Sequence, residues 1–224
     1  MTRIVLVRHG QTDWNRVERF RGKTDVPLNA VGILQAQQAA RAIREGYMPV
    51  SALYTSPMSR AKATADIVGK TLGLSAEVLP VLGDYGFGEW EGKTPKEVRE
   101  QYPEQYNLWI TEPHRARIPG GDNLQKRRAE LTAAFDTLVA ERPEDTVVLV
   151  SHRIVSKVIC CMLLGLSNAH LWNVDLETGS ISLFQRRRSG WLTLTLNDTC
   201  HLRPPIGLPE GSPAEPPTDE APSQ

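Results

Sequence analysis

Two short runs of uninterrupted apolar residues, Ile4-Val5-Leu6-Val7 and Val147-Val148-Leu149-Val150, constrain the fold of this chain more than any other feature. A strand with one wet face alternates apolar and polar side chains. These runs do not alternate, so each must be covered on both faces, as the inner strands of a parallel sheet are. Parallel neighbours need long crossovers, and the segments between the runs have helical patterning. The residues from Asn29 to Arg44 carry Gly32, Ala36, Ala39 and Ile43 at three- and four-residue spacing, a stripe of mostly small side chains suited to close packing on a sheet. Ala52-Leu53-Tyr54 reads as a second strand in chain order. It leads into Ser56-Pro57, read as an N-cap with a first-turn proline, and a helix to Leu72.

Val78-Leu79 is a weaker third strand. Short helices are expected from Pro95 to Ile110, a long one from Asn123 to Glu141, and an apolar one from Ile154 to Leu164. Ile181 to Phe184 and Leu192 to Leu196 alternate and form a hairpin joined near Ser189-Gly190. Strands alternating with helices predict a three-layer α/β/α sandwich around a mainly parallel sheet. The 224 residues divide into one domain, 1–203, and a tail, 204–224. That tail holds seven of the 16 prolines, four acidic residues and almost nothing apolar, which predicts disorder.

Charge narrows the partners. Basic and acidic residues number 26 each, so residues 1–203 hold 26 against 22. This mild excess suits a small anionic substrate and not nucleic acid. No apolar run is long enough for a membrane span or a secretory signal. Three cysteines, two of them the adjacent Cys160 and Cys161 in an apolar helix, make no disulfide framework. The expected location is cytoplasmic. The oligomeric state is open, with a homodimer admissible.

Open α/β sheets bind ligands at the carboxyl ends of their strands. The first strand ends in Arg8-His9-Gly10, the second leads to Arg60, the third to Asp84, and the fourth ends in Ser151-His152-Arg153. If these strands are neighbours, two histidines, several arginines and a carboxylate share one edge. Arginine forks match phosphate oxygens in pairs. A histidine nitrogen can take a phosphoryl group covalently, and a carboxyl can protonate the leaving oxygen.

The series Leu6-Val7-Arg8-His9-Gly10-Gln11-Thr12-Asp13-Trp14-Asn15 resembles the signature of the histidine phosphatase superfamily, the phosphoglycerate mutase-like proteins. Further matches follow in order: Pro27-Leu28-Asn29 with Gly32, Ser56-Pro57 with Arg60-Ala61, Gly88 to Gly92, Pro119-Gly120-Gly121, Ser151-His152, and Asn197-Asp198 with His201-Leu202. The resemblance implies that His9 is phosphorylated during turnover and that Arg8, Arg60 and His152 clamp the phosphate, with Asn15 adding a donor. Arg21 and Gly22 would border the substrate. It also implies a metal-independent phosphomonoesterase for a small phosphorylated metabolite, with no cofactor.

This chain departs from the family at two positions. Asp84 stands where the nearest branch has glutamate, one methylene longer. Arg153 stands where many relatives have glycine, and would add a phosphate or carboxylate contact or narrow the entrance. Competing readings remain. Asp84 would otherwise stabilise a turn, leaving Glu89 or Glu91 as the acid, and Trp14, Trp90, Trp109 and Trp172 would line the site or simply pack. The alternative functions are a phosphoglycerate-type mutase, a non-catalytic binder of phosphorylated ligands, and a metal hydrolase using His9 and His152. The short span between Gly92 and Gly120 favours hydrolysis over the mutase, whose relatives shield the phosphoenzyme with a longer insertion.

Overall fold

A computed structural model describes residues 1–47 and 49–202. The tail 204–224 lies outside the described residues. In chain order the elements are β1 (Arg3–Arg8), α1 (Asp13–Arg16), α2 (Ala30–Gly46), β2 (Ala52–Thr55), α3 (Ser59–Leu72) and β3 (Glu77–Val78). There follow α4 (Pro95–Gln101), α5 (Pro103–Thr111), α6 (Leu124–Glu141), β4 (Thr146–Ser151), α7 (Arg153–Leu163), β5 (Ile181–Arg187) and β6 (Gly190–Asp198). Six strands form one sheet in the order β3-β2-β4-β1-β5-β6. The first four are parallel, and the hairpin of β5 and β6 adds two antiparallel strands beside β1.

The two uninterrupted apolar runs are the paired central strands, Ile4 opposite Val147 through Val7 opposite Val150. Because side chains alternate along a strand, each run supplies both faces. Val5, Val7, Val148 and Val150 pack with the small residues of α2 and α3. Ile4, Leu6, Val147 and Leu149 pack with residues of α5, α6 and α7 on the other face. Burying one such aliphatic side chain contributes roughly 1.5–3 kcal/mol, so a one-residue slip in register would disrupt both layers at once.

That register aligns the chemistry. Arg8 pairs with Ser151 at the ends of β1 and β4, so His9 and His152 leave the sheet side by side. Thr55 pairs with Val150, which brings Ser56 to the same edge. Gly10 and Gly32 are a requirement of this packing. A Cβ on Gly10 would overlap the carbonyl of Gly32, and one on Gly32 would overlap that of Gln11. The start of α2 therefore lies directly on the loop that carries His9.

Candidate active site

His9 is buried, and its Nδ1 lies 2.7 Å from the carbonyl oxygen of Gly10. A carbonyl only accepts, so this contact assigns the proton to Nδ1 and leaves a lone pair on Nε2. Nε2 has no hydrogen-bond partner among the described residues. Burial, with the nearby cations Arg60, Arg21 and Arg8, holds the pKa of His9 well below that of an ordinary histidine. The ring is therefore a neutral base with one unengaged nitrogen.

His152 stacks obliquely 5.0 Å from His9, centroid to centroid. Its Nε2 is 2.7 Å from Ser56 Oγ, and its Nδ1 accepts from Arg60 Nε at 3.2 Å. Burial lowers its pKa to about 3 despite the opposing pull of Asp84, so His152 is neutral as well. Ser56 was expected to cap α3, but the helix begins at Ser59. The donors at its start, Ser59 N and Oγ, go instead to Asp25 Oδ1 at 2.9 and 2.8 Å. Ser56 is free to position His152, and also accepts from Met58 N at 3.2 Å.

Arg60, in the first turn of α3, is fully buried. Its donors reach Gly22 O and Thr24 O at 3.0 Å, Asp84 Oδ2 at 2.8 Å, and His152. Arg60 thus ties the 22–24 loop and the acid to the site, more than it holds donors in reserve. Asp84, 6% exposed, also accepts from its neighbour's amide, Tyr85 N, at 2.8 Å. Burial favours its neutral form, but the cations Arg60 and Arg21, with the hydrogen bond from Arg60, outweigh burial and leave its pKa below the usual range. Asp84 is therefore the charged member of the pair.

Arg8 is the arginine with donors to spare. Its Nη1 donates to Leu176 O, while Nε and Nη2 are buried without hydrogen-bond partners among the described residues. Burial first, then Arg153 and Arg21, lowers its pKa to about 9, and it remains a cation at neutral pH. The segment that holds it is propped from the far end of the chain. Asn197 Oδ1 accepts from Glu177 N at 2.7 Å, and His201 Nε2 lies 2.9 Å from Gly179 O. Asn197 and His201 therefore brace the 176–179 segment that holds Arg8, a role that no local pattern in the sequence revealed.

Arg8, Asn15, Arg21, Gly22, Asp84 and Arg153 line one cavity with about 870 Å³ of empty space, including its mouth. Asn15 Oδ1 accepts from Thr12 N and Oγ1 at 2.9 Å, which turns its amide donors the other way. Gly22 adopts φ +52, and a side chain there would strike Glu91. Trp109 and Trp172 line the cavity with Tyr106 and Ile110, whereas Trp14 and Trp90 do not. Neither rival carboxylate enters it. Glu89 is exposed and accepts from Tyr102 at 2.7 Å. Glu91 accepts from Lys23 N, Thr24 Oγ1 and Phe87 N at 2.9 to 3.1 Å, stapling the loop behind Gly22. Among the described residues no group of three or more His, Cys, Asp or Glu side chains is arranged to hold a metal ion.

Known proteins share this sequence pattern and fold. The sequence model described as histidine phosphatase superfamily (branch 1) matches residues 4–199. Phosphoserine phosphatase 1 of Hydrogenobacter thermophilus is 30% identical over 202 residues, 90% of this chain and 95% of that protein. A metal-independent phosphoserine phosphatase of Arabidopsis thaliana is 32% identical over 208 residues, 90% of this chain and 84% of that protein. Among solved structures, a phosphoserine phosphatase from Entamoeba histolytica in complex with 3-phosphoglyceric acid superposes with a TM-score of 0.81 at 26% identity. The match covers 90% of this chain and all of that one.

Proposed function

The chain belongs to the histidine phosphatase superfamily, branch 1, and is a phosphomonoesterase of small phosphorylated metabolites, which we propose it hydrolyses through a phosphohistidine on His9. The observation that carries the mechanism is the unengaged, buried Nε2 of a neutral His9 within the field of Arg60, Arg21 and Arg8, the last with donors to spare. Nε2 attacks phosphorus, the bond to the leaving oxygen breaks, and Asp84 gives that oxygen its proton. Water then attacks the phosphohistidine, its proton passes to Asp84, and the P–N bond breaks. Arg8 and Arg21, with Asn15, meet the negative charge on the phosphoryl oxygens, and His152, held between Ser56 and Arg60, packs against the nucleophile, so neither displacement calls for a metal.

The proton on Asp84 needs a source, because the depressed pKa leaves the carboxyl ionised at neutral pH. A phosphate ester loses its second proton near pH ~6, so the monoanion can carry that proton in. Like-charge repulsion from the bound phosphate then keeps it on the acid.

Rapid-quench labelling with a ³²P-labelled phosphomonoester tests the reading. We expect an acid-labile, base-stable phosphoenzyme that disappears in His9→Ala. Label on serine, cysteine or aspartate would refute the mechanism. The relatives are phosphoserine phosphatases by name, so O-phosphoserine is the first substrate to assay. 3-Phosphoglycerate is the second, where release of inorganic phosphate separates hydrolysis from mutase chemistry.

A further inference from the structure

The outer cavity contains charges that phosphoryl transfer leaves unused. Arg153 is the first residue of α7, next to His152. Its guanidinium carbon lies 5.7 Å from the Trp172 ring centroid, a ring that also takes Lys157 Nζ at 4.8 Å. Lys157 is in turn 3.7 Å from Asp175. Arg153 is therefore a cation fixed by stacking, and its Nε is buried with no hydrogen-bond partner among the described residues. It lines the same cavity as Arg8 and Asp84.

One other carboxylate lines that cavity besides Asp84, and it is Glu18. Glu18 holds a left-handed backbone, φ 49, which is uncommon outside glycine and recurs where a side chain is presented to a ligand. Burial lowers the pKa of Arg153, while Asp175, Glu177 and Glu18 act against that. Asp175 and Glu177 do not line the cavity; Glu18 does. Arg19 also lines the cavity, but its guanidinium donates to Gly92 O and lies 3.8 Å from Glu97. Beyond the arginines near the phosphate, the wall thus presents the stacked cation Arg153 and the carboxylate Glu18, along with Trp109, Tyr106 and Ile110.

We propose that Arg153 reads a carboxylate and Glu18 an ammonium on the leaving group, so that the site selects phosphorylated α-amino acids over esters carrying only one of those charges. This rests on the phosphatase reading above and adds to it two specificity residues that touch the leaving group and take no part in the chemistry.

Three esters of nearly equal size isolate the two charges. O-phosphoserine carries both, 3-phosphoglycerate replaces the ammonium with a hydroxyl, and phosphoethanolamine lacks the carboxylate. In the wild type, kcat/KM should be highest for O-phosphoserine. Arg153→Gln should reduce the preference for O-phosphoserine over phosphoethanolamine by about tenfold, the loss of one charge-assisted hydrogen bond. Glu18→Gln, on an exposed residue, should reduce the preference over 3-phosphoglycerate in the same way. Arg153→Lys, which keeps the charge but not the fork, should fall between, and it guards against misfolding of the Gln variant. Unchanged preference ratios in all three variants, with O-phosphoserine still turned over, overturn this inference alone. Absence of phosphate release by the wild type from all three esters and from nitrophenyl phosphate overturns the phosphatase reading beneath it.

Discussion

A neutral imidazole carries one proton, and at His9 the carbonyl of Gly10 holds it on Nδ1, so the pH profile of the enzyme is set elsewhere. An ordinary histidine would be mostly protonated below pH 6.5 and lost as a nucleophile. His9 is held well below that value, so kcat/KM for an alkyl phosphate should not decline between pH 6.5 and 5. It should fall as pH rises above ~6, where substrate monoanion and the proton destined for Asp84 disappear together. A profile from pH 4.5 to 8 checks both limbs, and an acid limb centred on 6.5 would count against a depressed His9. Asp84→Asn should cripple hydrolysis of alkyl phosphates and affect nitrophenyl phosphate much less, because nitrophenolate leaves without a proton. Arg60→Ala should do more than slow turnover. It strips a buried carboxylate of its main partner, a change that typically costs 3–5 kcal/mol. The double variant Arg60→Ala with Asp84→Asn should regain part of the lost thermal midpoint while staying inactive on alkyl phosphates.

The contact between α2 and the loop after β1 sets how firmly the nucleophile is held. Asn29 caps α2 by accepting from Gly32 N at 2.9 Å, and its own Nδ2 donates to Gln11 Oε1 at 3.0 Å. Gln35, one turn further, accepts from Gln11 N at 2.8 Å. Thr64 of α3 accepts from Gly10 N at 3.2 Å. The His9 loop is thus bonded to two helices, and Gly32 allows them to come this close. Gly32→Ala should lower stability by roughly 1–3 kcal/mol, as overpacking does, and weaken competitive inhibition by vanadate. Gly46→Ala at the other end of the same helix meets nothing within 4 Å and serves as the control, neutral or slightly stabilising. Equal midpoints and inhibition constants for the two variants would show that α2 can back away without disturbing His9.

Folding buries His9 and His152 in neutral form, and this cost is visible in the stability of the whole molecule. Unfolded, both titrate near 6.5. Folded, His9 stays well below that and His152 titrates at about 3. As pH falls below 6.5 the unfolded chain takes up protons that the native protein does not, so stability decreases. Each histidine contributes up to about 1.4 kcal/mol per pH unit. Asp84, also depressed, adds its own loss only below ~4, so the histidines and the partly buried His201 dominate between pH 6.5 and 4.5. The thermal midpoint should therefore drop steadily from pH 7 to 5, and His9→Ala should flatten that slope. A midpoint independent of pH in this window would mean that the buried rings are already charged.

Local pattern alone determined the two inner strands, the stripe on α2, the hairpin and the placement of Arg8, His9, Ser151 and His152 at strand ends. Those features depend on side-chain period and on what can survive burial on both faces, and both are properties of neighbouring residues. The order of short motifs then carried the family resemblance. Tertiary structure decided what each polar group does. Ser56 positions His152 and leaves the start of α3 to Asp25, 34 residues earlier in the chain. Glu91 staples the Gly22 loop and does not act as the acid. Arg60 spends its donors on loop carbonyls and Asp84, whereas Arg8 keeps two in reserve. Trp172 is a platform for two cations, and Glu18 shares the cavity wall with Arg153. No spacing in the sequence encodes these pairings, because a hydrogen bond depends on atoms within about 3 Å and a pKa on burial and every nearby charge.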